Sequence, residues 1–406
     1  MTTTDEMAEL TTDRARVTTT AGTTTGPGWR PAITTALTVW GAAVIGYVLI
    51  NCLVWMTRNE NGPKFSGMIE VWDQWDTGHY VTIALTGYNA ATENPAFFPL
   101  YSMTMRVLEP VLPGGMLSAG LIISNVSCVV ALVLLYRLVQ DLAGSAMASR
   151  SVFYLMAYPF AFFLSAAYNE AFFLMFTVAA LYFMRRSQWL LAGVMGGLAS
   201  ATRQAGILLV LAFAVEYLRQ RNWKWREIRA DVLAIALVPV GTAAYALYCW
   251  RAFGDPLKFV HVQAFWGREP TAPWMGTVRA FEVIVLRAQG GAVFQPVIVL
   301  NAIDILAVVI TLILLVLSLV GPWRLGRESL YLIVFSMVSF LVILISPIGV
   351  DVPLHGLPRY ALEAIPAFMV LGRMGANRTL ERLYLMPALL TQGVLLLSFY
   401  YDIWVA

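Results

Sequence analysis

The chain has 406 residues, 59% hydrophobic and only 13% charged, with a formal net charge of +3. Soluble domains carry about 25% charged residues, so this composition excludes a soluble globular protein, and the long apolar runs exclude a disordered chain. The small, scattered positive charge excludes a nucleic-acid binder, run length excludes a β-barrel, and three cysteines within apolar stretches (Cys52, Cys128, Cys249) exclude a disulfide scaffold.

In chain order, residues 1–28 are rich in Thr, start acidic and read as a disordered cytoplasmic tail. No apolar core precedes Ala32, so the first helix is an uncleaved anchor. Residues 29–406 read as a single integral membrane domain. A span needs about 20 apolar residues. Eleven segments are candidates: 32–56, 116–136, 151–167, 169–184, 189–202, 205–218, 230–250, 296–320, 329–346, 359–372 and 383–401. The fold class is therefore an all-α polytopic membrane protein with about eleven transmembrane or membrane-embedded helices. Placing the N-terminus in the cytoplasm puts 17 of the 27 Lys and Arg on the inner side, and the C-terminus then lies outside.

The loops are unequal. Those at 57–115 and 251–295 are long, and both fall on the outer side. All three histidines (His79, His261, His355) are on that side, so any chemistry is expected to face outward. Residues 189–218 hold two short apolar segments between the basic loops Arg185-Arg186 and Arg219–Arg229. Helices of about 15 residues reach only ~22 Å of a ~30 Å core. Arg203, at the turn between them, should then sit below the outer surface in a protein-lined cavity, because facing lipid would cost ~3 kcal/mol or more. The pair 151–184 is similar, with Tyr168-Asn169-Glu170 at its outer turn. That tripeptide reads equally as a helix N-terminus with an acidic first turn.

The densest polar stretch is Val71-Trp72-Asp73-Gln74-Trp75-Asp76-Thr77-Gly78-His79-Tyr80. Read as a helix, it sets Trp72, Asp76, His79, Tyr80 and Ile83 on one face, with Asp73 touching the same stripe. Two carboxylates so close require a raised pKa or a cation nearby. A carboxylate between aromatic rings at a membrane surface suits a general base acting on a sugar hydroxyl. The competing reading is an interfacial amphipathic helix capped by Asp73, although such an anchor should favour Lys and Arg and this stretch has neither. Asn94–Tyr101 reads as an apolar, Pro-bounded turn, and Gly254-Asp255-Pro256-Leu257-Lys258 as a plain turn. His355 and Arg359 lie at an outer mouth, where with Arg203 they suit a lipid phosphate or an ordinary headgroup contact. No P-loop, dinucleotide fingerprint, H-E-x-x-H or C-x-x-C occurs. Without a soluble nucleotide-sugar domain, a sugar donor on the outer face should be lipid-linked.

The stretch Trp75-Asp76-Thr77-Gly78-His79-Tyr80, continuing to Ile83-Ala84 and Gly87-Tyr88, resembles the signature of the PIG-V family, the GPI mannosyltransferase II type and its bacterial relatives. Phe97-Phe98-Pro99-Leu100-Tyr101, Ser165–Glu170, Ala201–Gly206 and Arg359-Tyr360 match in order, and Gly254-Asp255-Pro256-Leu257 is similar to the bacterial members. The resemblance spans about residues 33–372; Asn169 stands where the family usually has Ser or Thr. It implies a GT-C glycosyltransferase fold, in a bacterial plasma membrane, and a polyprenyl-phosphate-mannose donor. Transfer to a lipid or glycan acceptor would invert the anomeric carbon. By carry-over, Asp76 is the general base. Asp73, His79, Tyr80 and Glu170 line the acceptor or sugar pocket. Arg203, Arg359 and His355 hold the donor phosphate. No metal or other cofactor is required, and a divalent cation between Asp73 and Asp76 is the alternative. The competing functions are a flippase or transporter of lipid-linked sugars, a related enzyme using another sugar or a protein acceptor, and a non-catalytic lipid-binding subunit. Transport fits less well, because transporters place polar groups at the midplane, and here only Asp304 and Glu216 look deep.

Overall fold

In a computed structural model, the chain is described over residues 28–58, 67–291, 295–349 and 351–405. The expected tail at 1–28 lies outside the described residues except for Gly28. Among the described residues every regular element is a helix. Apolar runs force this result, because only a helix satisfies each backbone N–H and C=O within its own segment.

Among the described residues, five helices are long and apolar enough to cross a membrane: Trp29–Thr57, Gly115–Ala143, Pro296–Leu319, Arg327–Leu344 and Arg378–Tyr400. A sixth span arises if Ala230–Leu237 and Val240–Phe253, bent by 42°, count as one. The chain is an integral membrane protein. These helices occupy six of the eleven candidate segments. The remaining five candidates are helical but short. Segment 151–167 is broken: the Ser145–Met156 helix stops before Pro159, and a 3₁₀ turn follows at Ala161–Leu164. Proline both removes a donor and biases its predecessor away from helix. Segment 359–372 is likewise divided around Pro358 and Pro366 into Leu357–Tyr360, Ala361–Glu363 and Ile365–Met374.

The short helices form the centre. Glu170–Arg185 has most of its residues buried, and it packs between Gly115–Ala143 and Trp189–Thr202. The Trp189–Thr202 helix takes the 3₁₀ segment Ala230–Leu237 at backbone distance. A Cβ at Gly193 would come within 2.3 Å of the Ala234 carbonyl oxygen, and one at Gly197 within 2.7 Å of that of Leu237. A small-residue stripe of this kind lets two backbones meet in a membrane without a hydrophobic driving force between them.

The described parts of the long segments 57–115 and 251–295 are largely helical. The first carries Asp76–Thr86 and Pro99–Leu108. The second carries Lys258–His261 and Met275–Gln289, the latter packed along Pro296–Leu319. The turn at Asn94–Tyr101 is a 3₁₀ turn, Asn94–Ala96, running into the Pro99 helix.

Candidate active site

Four chain segments converge at one end of the bundle. Asp76 and Glu170 are each the first residue of a helix. There the orphan N–H groups and the helix dipole favour a carboxylate. Arg203 terminates the Trp189–Thr202 helix, and Arg359 lies in the short helix Leu357–Tyr360.

The helix carrying Asp76 starts one turn later than its sequence suggests. Trp75 precedes it with φ 51°, a left-handed conformation uncommon for a bulky residue. The reading of Trp72 and Asp73 as part of the same helical stripe is corrected accordingly. Trp72 is buried against Phe399 and Tyr400, whereas Asp73 is exposed in the preceding turn and does not cap the helix. Partial desolvation, and not the charge of Asp76, raises the Asp73 carboxyl above its usual range. At the other end Gly87, at φ 82°, closes the helix by donating its N–H to Ile83. The Tyr88 hydroxyl then donates to the Phe97 carbonyl at 2.7 Å, fixing the Phe97-Phe98-Pro99 turn.

Tyr168 ties the two carboxylate-bearing helices together. Its hydroxyl accepts the Asp76 N–H at 3.2 Å and donates to the Gln74 carbonyl at 3.1 Å. Asn169 donates to the Thr202 carbonyl at 3.0 Å, joining the second polar tip to the third. Thus the tripeptide Tyr168-Asn169-Glu170 both starts a helix and assembles the site.

The charges form a chain. Arg359 Nη2 lies 2.7 Å from Asp76 Oδ2, and its Nε lies 3.6 Å from Glu170 Oε1. Arg203 Nη2 is 3.5 Å from the same Glu170 oxygen, and Arg203 Nη1 is 3.2 Å from Glu363 Oε1. Arg203 also stacks 4.3 Å above the Tyr360 ring. Its side chain is only 9% exposed, in the protein-lined setting that the short helix pair suggests. Asp76 is the most open member at 23%. Its Oδ1 has no hydrogen-bond partner among the described residues. Deeper in, Glu170 Oε2 and Arg359 Nη1 are buried and unpartnered.

Tyr80 is buried among Phe97, Tyr101 and Tyr168. His79 stacks on Phe97 at 4.6 Å, shares a 2.8 Å hydrogen bond with Asn94, and lies 3.6 Å from Glu93. His355 is 3.9 Å from Asp304 and packs on Trp404 with centroids 3.9 Å apart. Burial first, and then the charge of Arg359, push its pKa down to about 3. Both of its ring nitrogens are buried without a hydrogen-bond partner among the described residues. Trp404 also stacks on Trp75 at 5.7 Å, which links His355 to the start of the Asp76 helix.

The structure brings together Asp76, Glu170, Arg203 and Arg359. It places Tyr80 and His79 on the flank, His355 behind Trp404, and Asp73 on the rim. Sequence reasoning missed Glu363, Asn94, Glu93 and Trp404. An acid inside the apolar stretch 359–372, between two prolines, is the signal that could have found Glu363.

Residues 99–247 match the family model described as dolichyl-phosphate-mannose-protein mannosyltransferase. The matched segment is less than half the chain; it contains Glu170 and Arg203 but neither Asp76 nor Arg359. No curated protein matches the chain. Among solved structures, the chain is similar to ArnT from Cupriavidus metallidurans bound to undecaprenyl phosphate. That match has 14% identity and a TM-score of 0.49, and covers 89% of this chain and 76% of the other. It is also similar to the apo oligosaccharyltransferase of Archaeoglobus fulgidus, at 14% identity and a TM-score of 0.46, covering 91% of this chain and 56% of that one.

Proposed function

We propose that the chain is a GT-C glycosyltransferase that moves a sugar, mannose by its PIG-V resemblance, from a polyprenyl-phosphate donor to a lipid or glycan acceptor on the non-cytoplasmic face. One observation carries the reading. Asp76 presents a free carboxylate oxygen at the open edge of a buried cluster, while Arg359 holds its other oxygen in place. The family match over residues 99–247 supports glycosyl transfer as the class of chemistry.

In this reading Asp76 Oδ1 takes the proton of the acceptor hydroxyl. The acceptor oxygen attacks the anomeric carbon from the face opposite the phosphate. The bond from that carbon to the phosphate oxygen breaks, and its electron pair leaves with the polyprenyl phosphate. Phosphate is a good leaving group, so the protein's main tasks are deprotonation and alignment. Both arginines lie between two carboxylates, but Arg359 is the better placed phosphate donor, because its Nη1 is unpartnered. Arg203 then holds Glu170 and Glu363 in position. Glu170, with Oε2 free, and His79 contact sugar hydroxyls. The reading requires no metal. A cation bridging Asp73 and Asp76 would compete with Arg359 for the Asp76 carboxylate.

The test is transfer in proteoliposomes from radiolabelled polyprenyl-phosphate-mannose, with a native membrane lipid extract as acceptor. Label should enter a new product with the wild type and not with Asp76→Asn. Unchanged transfer by Asp76→Asn removes Asp76 as the base. Movement of labelled donor across the bilayer without any product replaces the enzyme with a transporter.

A further inference from the structure

At the end of the bundle opposite Asp76, the loop that follows the Leu209–Gln220 helix folds against the start of the Trp189–Thr202 helix. Between them is a cavity of about 630 Å³, whose lining includes Ser187, Trp189, Arg221, Arg226, Arg229 and Asp231. Three of its charges are already matched. Arg221 lies over the Tyr217 ring at 3.5 Å and pairs with Asp231 at 3.1 Å. Glu227, also on the lining, pairs with Lys224 at 3.2 Å.

Arg226 and Arg229 are different. Both are exposed, both line the cavity, and neither guanidinium has a partner among the described residues. Two unpartnered guanidiniums on the wall of one cavity suit an anion. The rim gives the anion's source. Trp223 is 50% exposed, Trp225 70% and Ile228 39%. In a chain that crosses the membrane, such aromatic residues beside basic ones belong at headgroup level.

We infer that this cavity binds the phosphate of an anionic phospholipid, with Arg226 and Arg229 as the phosphate donors and Trp223 and Trp225 in the headgroup layer. Because the Ala230–Leu237 segment is seated on the glycine stripe of the Trp189–Thr202 helix, the lipid would lie against a rigid wall. The inference is independent of the glycosyltransferase reading.

The test uses the full chain in nanodiscs of phosphatidylcholine doped with phosphatidylglycerol, with native mass spectrometry counting retained lipid. The wild type should keep phosphatidylglycerol in preference to phosphatidylcholine. Arg226→Gln/Arg229→Gln should weaken that retention by about thirtyfold, from about fivefold per basic residue. Arg226→Lys/Arg229→Lys, which keeps the charge but not the fork, should fall between and guards against a folding defect. Millimolar inorganic phosphate should not displace the lipid. Equal retention by the wild type and the Gln pair overturns the inference. So does equal retention of the two lipids, and displacement by inorganic phosphate would make this a free-phosphate site.

Discussion

The two ends of the bundle each hold a buried glutamate among arginines, yet they are built differently. At one end Glu216 is fully buried, and Arg219 grips it with two short bonds, Nε at 2.6 Å and Nη2 at 2.7 Å. Gln220 adds a third at 2.8 Å, with Arg185 at 3.9 Å. At the other end Glu170 touches two arginines only at 3.5 and 3.6 Å, and one of its oxygens has no partner. A fork-to-fork pair leaves a ligand nothing to bind. A cluster with orphaned buried atoms carries a desolvation cost that a bound polar group would relieve. The contrast separates a structural ion pair from a site more sharply than burial or charge count does.

The largest expected effect comes from breaking the open end. Asp76→Asn should lower transfer by about 10²–10⁴-fold, the usual range for a positioned general base, with an unchanged melting temperature. Loss of folding in place of loss of turnover would assign Asp76 to the structural class. Next, Glu216→Ala should destabilise the chain by about 3–5 kcal/mol, because it breaks the ion pairs that a fully buried carboxylate makes with Arg219 and Arg185; thermal unfolding in detergent measures it. A smaller change would mean that the two ends are not so different.

How far this contrast could be read beforehand depends on the residue. Arg203 was placed in a cavity by arithmetic alone, because two short segments between basic loops cannot carry an arginine to the surface. Asp76 and Glu170 stood out as acids at aromatic-rich turns. Glu363 did not, because its apolar neighbours hid it inside an assumed span and its partner lies 160 residues away. The helix start at Asp76 was equally hidden, since no local propensity selects a left-handed Trp75.

Smaller effects sharpen the comparison further. Arg359→Lys should raise the donor KM by about tenfold or more, since charged hydrogen bonds contribute about 1.5–3 kcal/mol and lysine cannot reproduce the fork. Glu170→Gln should change stability by less than about 1 kcal/mol while slowing transfer, the reverse of Glu216→Ala. The smallest effect lies in the long loop 251–295. His261 bonds Asp255 at 2.8 Å and holds its carboxyl below the usual range, with the Leu257 N–H helping. A depressed folded pKa adds stability above the ordinary aspartate value, which is lost as the pH falls through the folded value. Hydrogen exchange at the Leu257 and His261 amides should therefore quicken below about pH 4 in the wild type and not in Asp255→Asn.

The Trp189–Thr202 helix has 14 residues, about 21 Å, and turns Leu190, Leu191 and Val194 outward. The Trp29–Arg58 and Pro296–Leu319 helices have 30 and 24 residues. A bilayer matched to the long helices is too thick for the short one, so the lipids there must compress. Thinning on that flank shortens the vertical distance between the headgroup layer and the buried arginines. Acyl-chain length thereby becomes a variable to which this protein should respond, with short-chain lipids suiting the flank that carries Arg203.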